Sequence, residues 1–324
     1  MQVFLTGASG FIGGHLVREL QAAGCVVRAL SRRPESDAVI RTLGAEPVRG
    51  TLADPAALRA AVTGCKAVFH AAADLSLWRA GVAAQFATNV TGTQNLLRAA
   101  EAAGVGAFVH TSSVSAWGHL TPGVVDETVP QRGGASWIGY ERSKFLGEKA
   151  VRASALPWIV INPAHVLGPG DRHNWSRLIV MIDRGQLPGL PPGTGSFADV
   201  RQVARAQVRA WQLQRFGQFY VLGGEGASFV DFARRVGAAL GKPTPKRAMP
   251  PWALMGYALV LDAWSRLSGK EPQVTPAGAA LTSHRLRVDS TKARNELAYT
   301  ETPLDTLLSE TLGWMRAEGM LGAR

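Results

Sequence analysis

The chain has 324 residues, 46% of them hydrophobic and 18% charged, which excludes a mini-protein and a disordered chain. Lys and Arg number 35 against 24 acidic residues, but these bases are dispersed and belong to no nucleic-acid motif, so we expect no nucleic-acid partner. Two cysteines and a start that lacks a signal-peptide pattern exclude a disulfide framework and predict a cytoplasmic protein.

The first half of the chain alternates short apolar strands with amphipathic helices. Six strands are predicted, at residues 3–5, 26–30, 47–49, 67–71, 107–111 and 158–162. The helices between them are predicted at residues 14–23, 55–62, 84–103 and 140–152. Buried strands that alternate with helices of this length predict an α/β fold, a doubly wound parallel sheet of the Rossmann type.

The pattern changes after Pro163. Residues 164–199 are rich in Gly, Pro and His, with one helix near 177–184. We expect a strand–helix–strand unit to rejoin the sheet, at residues 197–200, 202–213 and 219–222. The last third carries four helical patterns, at residues 229–240, 252–267, 291–297 and 303–316.

These patterns predict two domains. Residues 1–163 and about 197–223 form the Rossmann domain, which binds the cofactor. Residues 164–196 and 224–324 form a smaller, mostly helical C-terminal domain, which binds the substrate.

A glycine-rich loop, TGASGFIG (6–13), separates the first strand from the first helix. Gly7 and Gly10 permit a tight turn and a close approach to a pyrophosphate, while Gly13 lets the helix pack closely on the strand. Phe11 and Ile12 belong to this loop, directly before a helix N-terminus whose unpaired N–H groups attract phosphate. At this position in a βαβ unit, the loop predicts a dinucleotide site, although a purely structural turn is the alternative.

The end of the second strand indicates which dinucleotide is bound. An acidic residue there would bind the ribose 2′-hydroxyl of NAD, whereas Arg accommodates the 2′-phosphate of NADP. The sequence has Ser31, Arg32 and Arg33 at this point and no acidic residue. We therefore expect NADP (as NADPH) rather than NAD, unless both arginines are merely solvated.

Tyr140 and Lys144 lie four residues apart, on one face of a predicted helix. A phenol with a pKa near 10 is a poor acid or base at neutral pH, and a neighbouring ammonium lowers that pKa. Lys144 is also expected to hold the nicotinamide ribose. The preceding strand ends in Thr111, Ser112 and Ser113, one of which would supply a hydroxyl donor to the substrate oxygen.

These motifs resemble the extended short-chain dehydrogenases/reductases (the NAD-dependent epimerase/dehydratase family), nearly end to end. The group includes nucleotide-sugar epimerases, dihydroflavonol reductases and 3β-hydroxysteroid dehydrogenases. The resemblance implies catalysis by Ser113, Tyr140 and Lys144, with Ser113 chosen by its spacing to Gly118. It also implies that Asn89, in NVTGTQNLLRAA (89–100), supports Lys144 through water.

The resemblance extends to further cofactor contacts. Segment VFHAAA (68–73) resembles a strand motif beside the adenosine ribose, and NPAHVLGPGD (162–171) resembles a segment whose backbone meets the nicotinamide. The additional residues implied at the cofactor are Thr51, Leu52, Ala71, Ala72, Ala73, Pro163, His165 and Val166.

Departures from the family pattern narrow the reaction. Val114 and Ser115 stand where dehydratases of the family carry an Asp-Glu pair, which disfavours sugar dehydration. Thr51 replaces the Asp expected to contact adenine. Gly195 and Ser196 stand where sugar-nucleotide enzymes carry an Arg that holds the diphosphate, so we expect that clamp to be absent.

The C-terminal part offers a candidate substrate wall. Residues 250–267 form a helix that is apolar over most of its circumference, either a core helix or a lid that touches an anionic membrane surface. Candidate substrate contacts are Trp78, Ser115, Trp117 and His165, although each aromatic is also a packing candidate. The scattered histidines predict no metal site. The resemblance also allows a homodimer through the helices at 84–103 and 140–152.

The leading hypothesis is an NADPH-dependent oxidoreductase. It would reduce a carbonyl of a hydrophobic or mixed-polarity small molecule by hydride transfer, or oxidise the corresponding alcohol. The alternative is a nucleotide-sugar epimerase with tightly bound NAD(P). A third reading, a non-catalytic NADP-binding sensor, is disfavoured because Ser113, Tyr140 and Lys144 are all present.

Overall fold

The computed structural model describes residues 1–322. The strands are β1 (Gln2–Thr6), β2 (Val26–Ser31), β3 (Glu46–Arg49), β4 (Ala67–His70), β5 (Phe108–Thr111), β6 (Trp158–Pro163), β7 (His165–Leu167), β8 (Thr194–Asp199), β9 (Gln218–Leu222) and β10 (Glu225–Ser228). The α-helices are α1 (Phe11–Ala22), α2 (Pro34–Thr42), α3 (Pro55–Val62), α4 (Val82–Phe86), α5 (Thr93–Ala102), α6 (Gly139–Arg152), α7 (Trp175–Asp183), α8 (Val200–Gln212), α9 (Phe229–Leu240), α10 (Pro251–Ser268), α11 (Pro276–Ser283), α12 (Thr291–Leu297) and α13 (Leu304–Ala317).

Seven strands form one parallel sheet in the order β3-β2-β1-β4-β5-β6-β9. Strand β1 lies between β2 and β4, with Val3 opposite Val27 on one side and Ala67 on the other. The strand order therefore reverses next to β1, and ligands of such sheets bind at the carboxyl ends of the strands at this point. The predicted doubly wound α/β fold is confirmed.

Helices cover both faces of this sheet, which explains why its strands are almost continuously apolar. On one face, Leu16 and Val17 of α1 share a buried cluster with Val203 of α8. On the other face, Leu58 of α3 packs in a second cluster with Leu96 of α5. The two layers fix the carboxyl edge of the sheet as a rigid platform.

The expectation that residues 197–200 rejoin the sheet was wrong. Strand β8 instead lies in a second, three-stranded sheet of order β10-β8-β7. Phe197 pairs in parallel with His165 and in antiparallel with Glu225. Only β9 returns to the main sheet, beside β6. A short buried strand has the same apolar pattern in either sheet, so the sequence did not separate the two cases.

The predicted helix at residues 84–103 is interrupted. A π-helical turn, Ala87–Gly92, separates α4 from α5. The Thr93 hydroxyl donates to the Asn89 carbonyl across this turn (2.8 Å). Such turns widen a helix by one residue per turn and are frequent at functional sites.

Two helices, α2 and α11, were not predicted. Each begins with a proline, Pro34 and Pro276 respectively. Proline at the first helical position loses no hydrogen bond and has the required φ, so it starts a helix as readily as it ends a strand.

The C-terminal segments pack around their own buried cluster, which includes Ile179 of α7, Phe232 of α9 and Leu308 of α13. This cluster lies beside the carboxyl edge of the main sheet, because β7 directly follows β6. The division into two domains stays a prediction. No helix within residues 1–322 is long and apolar enough to span a membrane.

Candidate active site

The glycine loop packs as its sequence predicts. Gly7 has a φ of +81°, and a Cβ there would lie 2.7 Å from the amide nitrogen of Ala72. A Cβ on Gly13 would lie 1.9 Å from the carbonyl oxygen of Gly7, so only glycine permits this contact between helix and loop. No side chain caps α1 after Gly10. The first N–H groups of α1, at Phe11 and beyond, therefore suit an anionic ligand.

The loop after β2 carries two exposed cations. The Ser31 hydroxyl is buried and donates to the Arg33 carbonyl oxygen (3.2 Å), which fixes the turn. Arg32 and Arg33 are exposed, and within residues 1–322 neither side chain forms an ion pair or a hydrogen bond. The neighbouring acid Asp37 pairs with Arg49 instead. Both guanidinium groups thus remain available to a phosphate at this edge.

The predicted contacts after β3 and β4 lie at the same edge. Thr6 of β1 bonds both the His70 ring (2.6 Å) and, through its hydroxyl, the Ala72 N–H (3.2 Å), which holds residues 71–73 against the glycine loop. The Thr51 hydroxyl accepts from a nearby backbone N–H, so it caps its own turn. The Leu52 carbonyl accepts from Asn95 of α5 (2.8 Å).

The segment after β6 closes this edge from the other side. Pro163 is the last residue of β6, and Val166 pairs with Ala198 in the second sheet. Further along, the His15 ring of α1 bonds the Pro169 carbonyl oxygen (2.8 Å). The predicted nicotinamide segment therefore meets the first helix. The glycine cradle, the open helix start and the free arginines together fit a dinucleotide.

The predicted catalytic side chains converge beside this edge. Tyr140 and Ser113, 27 positions apart in the chain, lie close together, and the Ser113 hydroxyl interacts with the Tyr140 phenol. The Ser113 hydroxyl also accepts the Ser115 N–H (3.1 Å), which holds it at the turn after β5. Lys144, one turn after Tyr140, is buried and donates from Nζ to the Thr111 carbonyl oxygen (3.0 Å).

The protonation behaviour of this group differs from the expectation. Burial raises the pKa of Tyr140 to about 12, although its interaction with the Ser113 hydroxyl opposes the shift. The expectation that Lys144 lowers this pKa was wrong, because the desolvation of the phenolate dominates. Burial also lowers the pKa of Lys144 to about 8, and the carboxylate of Glu148 opposes that shift. Tyr140 is therefore a protonated phenol at neutral pH.

Asn89 lies in the π-helical turn, behind these residues. Its amide group donates to the Asp74 carbonyl (2.9 Å) and the Ser143 hydroxyl (3.0 Å), and its oxygen accepts the Asp74 N–H (2.7 Å). It makes no direct bond to Lys144, but both residues line one small cavity. Asn89 thus connects the loop after β4 to the helix that carries Tyr140.

A cavity of about 920 Å³ opens in front of Ser113 and Tyr140. Its walls are mostly apolar and include Leu77, Val274 and Leu281. Cations also line it, at Arg172, Arg177 and Arg184. Arg172 pairs with Glu318, whereas Arg177 and Arg184 are exposed at the rim. The cavity suits a largely apolar molecule that also carries a polar or anionic group.

Three of the four predicted substrate contacts line the cavity, and the fourth does not. Ser115 and His165 line the cavity, and the His165 ring packs edge-on against Trp175 (centroids 5.1 Å apart). Trp117 reaches the wall, but it is almost wholly buried and its indole N–H donates to the Val129 carbonyl (2.8 Å). Trp78 is not in the wall, because its indole N–H donates to Ser265 of α10 (3.1 Å).

The sequence did not indicate a pair of residues next to Tyr140. Glu141 is buried, and its carboxylate accepts the backbone N–H of His119 (2.5 Å) and faces Nδ1 of the same residue (2.9 Å). His284 lies close to this pair and, like His119, lines the cavity. Glu141 lies between Tyr140 and Lys144, so the sequence showed an acidic residue at this position. It did not show that His119 would be its partner.

The fold and this arrangement define a class of protein, a Rossmann fold in which Ser113, Tyr140 and Lys144 lie beside a glycine loop that fits a dinucleotide. The model of the NAD dependent epimerase/dehydratase family matches residues 3–223. The chain belongs to this family, as its motifs indicated, and to the extended short-chain dehydrogenases/reductases.

Two curated relatives match almost the whole chain. A protein from Synechocystis sp. that is named as a dihydroflavonol 4-reductase is 31% identical, over 98% of this chain and 95% of its own length. Sterol demethylase protein B from Methylococcus capsulatus is 30% identical, over 99% of this chain and 100% of its own length.

Solved structures agree with the fold. The crystal structure of gox2253 has a TM-score of 0.85 and 31% identity, and the match covers 99% of both chains. MoeE5, solved in complex with UDP-glucose and NAD, has a TM-score of 0.75 and 25% identity, over 98% of this chain and 99% of its own. Reductases and epimerases therefore both occur among the relatives, and a structural neighbour binds a nicotinamide dinucleotide.

Proposed function

We propose that the protein is an NADPH-dependent reductase of a carbonyl group on a hydrophobic or mixed-polarity small molecule. The observation that carries this proposal is that Ser113 and Tyr140 line the same end of a largely apolar cavity, with Lys144 one helical turn behind. The Ser113 hydroxyl and the Tyr140 phenol can each donate a hydrogen bond. A carbonyl oxygen is an acceptor that fits between them.

Each side chain has a distinct role in this reaction. Ser113 donates a hydrogen bond to the carbonyl oxygen and polarises it. The bound nicotinamide supplies the hydride that reduces the carbonyl carbon. Tyr140 transfers its phenolic proton to the same oxygen, so that an alcohol forms. Lys144 stabilises the phenolate that remains and holds the ribose, and Asn89 positions the helix start that carries Tyr140.

The raised pKa of Tyr140 favours the reducing direction. A phenol with a pKa of about 12 is protonated at neutral pH and is a proton donor. Oxidation of an alcohol would instead need the phenolate as a base, which burial disfavours. The protein therefore acts as a reductase in its resting protonation state.

Arg32 and Arg33 carry the proposed preference for NADPH. Both are exposed at the end of β2, where the 2′-group of the adenosine ribose binds in this fold. No acidic residue stands at the end of β2 to accept a hydrogen bond from the 2′-hydroxyl. The next acids along the chain, Glu35 and Asp37, lie in the first turn of α2, and Asp37 is paired with Arg49. The guanidinium groups suit a dianionic phosphate.

The cavity supports the proposed substrate class. Its apolar wall suits the body of the substrate, while Arg177 and Arg184 at the rim suit an oxygen-rich or anionic substituent. The names of the two curated relatives, a dihydroflavonol 4-reductase and sterol demethylase protein B, point to polycyclic substrates of this kind.

The test is NADPH consumption with a panel of hydrophobic ketones, followed by isolation of the alcohol product. We expect turnover with at least one bulky ketone, and weaker activity with NADH. Failure across the panel, together with the conversion of a UDP-sugar to its epimer, would reverse the assignment. The epimerase alternative is favoured by one observation, the similarity to MoeE5, which binds UDP-glucose and NAD.

A diphosphate clamp of the expected kind is missing, which disfavours that alternative. Gly195 and Ser196 are buried in β8, and the Ser196 hydroxyl donates to the Gly224 carbonyl (2.9 Å). Arg201 pairs with Asp199 (2.6 Å) and with Glu310. Calorimetry with UDP-sugars decides this point, since tight binding would show that other arginines replace the clamp.

A further inference from the structure

Helix α10 exposes large apolar side chains along its whole length. The most exposed of them include Trp252 (78%) near its start and Leu267 (82%) near its end. Residues spaced three and four apart share one face of a helix, and these side chains follow that spacing. We call this surface the outer face of α10; its large side chains are Trp252, Tyr257, Leu259, Val260, Trp264 and Leu267.

The opposite face of α10 packs into the protein and is mixed: it buries apolar side chains such as Leu254 together with the polar Asp262 and Ser265. Asp262 accepts hydrogen bonds from Arg79 (3.0 Å) and from Arg266 (3.1 Å), and Ser265 accepts the indole N–H of Trp78 (3.1 Å). A surface helix normally keeps its large apolar side chains on its inward face. Most of those of α10 lie on the outer face instead, so contact with an apolar medium would remove them from water.

Positive charge flanks the outer face at both ends. Segment 242–271, which contains α10, has five basic and two acidic residues. Lys246 and Arg247 precede the helix and Lys270 follows it, and all three are exposed. A row of apolar side chains between cations is the pattern of a helix that lies in the headgroup region of an anionic bilayer. The tryptophans suit that boundary, since indole is apolar with one polar N–H.

A second copy of this chain fits the outer face less well. In an antiparallel helix pair, Arg247 of one copy would approach Lys270 of the other, and in a parallel pair each cation would approach its own counterpart. Either pairing brings like charges together, in a chain whose net charge is +11. Anionic lipid headgroups complement these charges instead.

Helix α10 lies behind two of the segments that line the cavity in front of Tyr140, although it contributes no residue to the cavity wall. It packs on α11, which contributes Leu281 to the cavity wall. The Trp78 bond ties α10 to the segment that contributes Leu75 and Leu77 to the same wall. A bilayer on the outer face would therefore lie next to the cavity mouth.

We propose that the outer face of α10 docks the protein on an anionic bilayer surface, so that the cavity exchanges its substrate with the lipid phase. The helix, about 27 Å long, would lie parallel to the surface. Docking goes beyond the proposed function, because it needs neither cofactor nor substrate.

The test is co-sedimentation of the full-length protein with vesicles of phosphatidylglycerol and phosphatidylcholine, without nucleotide. We expect binding that weakens with added salt and with pure phosphatidylcholine. Val260→Ser with Leu267→Ser should lower the partition coefficient by about tenfold or more. The matched control is Val39→Ser with Leu213→Ser, which changes one exposed Val and one exposed Leu elsewhere and should bind as the wild type does.

A second readout locates the contact. Brominated lipids should quench the tryptophan fluorescence of the wild type, and Trp252→Phe with Trp264→Phe should remove most of that quenching. Thermal unfolding checks that each variant is folded. Equal binding of the two double serine variants would overturn the proposal. A wild-type protein that does not bind vesicles would also overturn it. If the protein forms a concentration-dependent dimer that only Val260→Ser with Leu267→Ser abolishes, the outer face belongs to a contact with a second copy.

Discussion

The proposed cofactor site and the cavity beside it are assembled from the chain in different ways. The cofactor site uses residues that directly follow successive strands of one sheet, such as Gly7 after β1, Arg32 after β2 and Ala72 after β4. The cavity is lined by segments scattered between residues 75 and 320. A motif that follows a strand inherits its position from the sheet, whereas a cavity residue is positioned by contacts made far along the chain.

A substitution in a motif that follows a strand should therefore change one property, such as cofactor binding. A substitution in the cavity wall should change more than one, because its contacts reach distant parts of the chain. Separate variants should distinguish the proton-transfer group, the cofactor site and the cavity.

Loss of the Tyr140 hydroxyl should have the largest effect. Tyr140→Phe removes the proton donor and its interaction with the Ser113 hydroxyl while keeping the ring. We expect turnover to fall by roughly 10²- to 10⁴-fold, with the NADPH dissociation constant nearly unchanged. Steady-state kinetics and calorimetry measure the two quantities. Tyr257→Phe, which alters an exposed tyrosine of α10, is the control; unchanged turnover of Tyr140→Phe would remove Tyr140 from the reaction.

Loss of the two arginines should affect the choice of cofactor. Arg32→Ala with Arg33→Ala removes the proposed phosphate contacts. A hydrogen bond to a charged group contributes about 1.5–3 kcal/mol, so NADPH affinity should fall roughly 10- to 100-fold while NADH affinity stays nearly constant. Titration of both nucleotides checks this result. Arg41→Ala with Arg59→Ala, also exposed, controls for net charge. Equal losses for both nucleotides would contradict the NADPH preference.

The pH profile should report Lys144. Its pKa of about 8 means that the ammonium is present below this pH and is lost as the pH rises through it. Turnover with saturating cofactor should therefore be constant near neutrality and fall by about tenfold per pH unit above pH 8. Lys144→Arg keeps the charge, so its alkaline decline should move to higher pH. A wild-type profile that is flat above pH 8 would show that the Lys144 charge is not required.

Loss of the Glu141 charge beside the cavity should have the smallest effect on catalysis. Glu141→Gln weakens the contact with His119 on the cavity rim. We expect the free energy of unfolding to fall by about 1–3 kcal/mol and the KM for the ketone to rise several-fold, while NADPH affinity stays unchanged. Denaturant titration and kinetics test this, with the partly exposed Glu19→Gln as the matched acid. A change in NADPH affinity would mean that the two regions are not separable.

The same difference explains how much the sequence could predict. The glycine loop, the Ser113 turn and the Tyr140 helix follow strands, so the α/β pattern alone indicated that they would meet. The contact of His119 with Glu141 depends on how the turn after Gly118 returns to α6, which no local pattern encodes. Trp78 failed as a substrate contact for the same reason, since its partner Ser265 lies 187 residues away.

Burial was the other quantity that the sequence could not supply. The spacing of Tyr140 and Lys144 predicted an ammonium near a phenol, and it therefore predicted a lowered phenol pKa. In the structure both groups are desolvated, which favours the neutral form of each. The pKa of Tyr140 is therefore raised, and the pKa of Lys144 is lowered. The direction of a pKa shift depends on this balance between charge and burial, which needs the tertiary structure.

The central claim is that hydride leaves the cofactor and remains on the substrate. The most direct measurement is turnover with NADPH that carries deuterium at the transferable position, followed by mass spectrometry of the product. We expect an alcohol product that carries one deuterium on its carbinol carbon, together with an equal amount of oxidised cofactor. A product isomeric with its substrate, with no net oxidation of the cofactor, would contradict it and identify an epimerase.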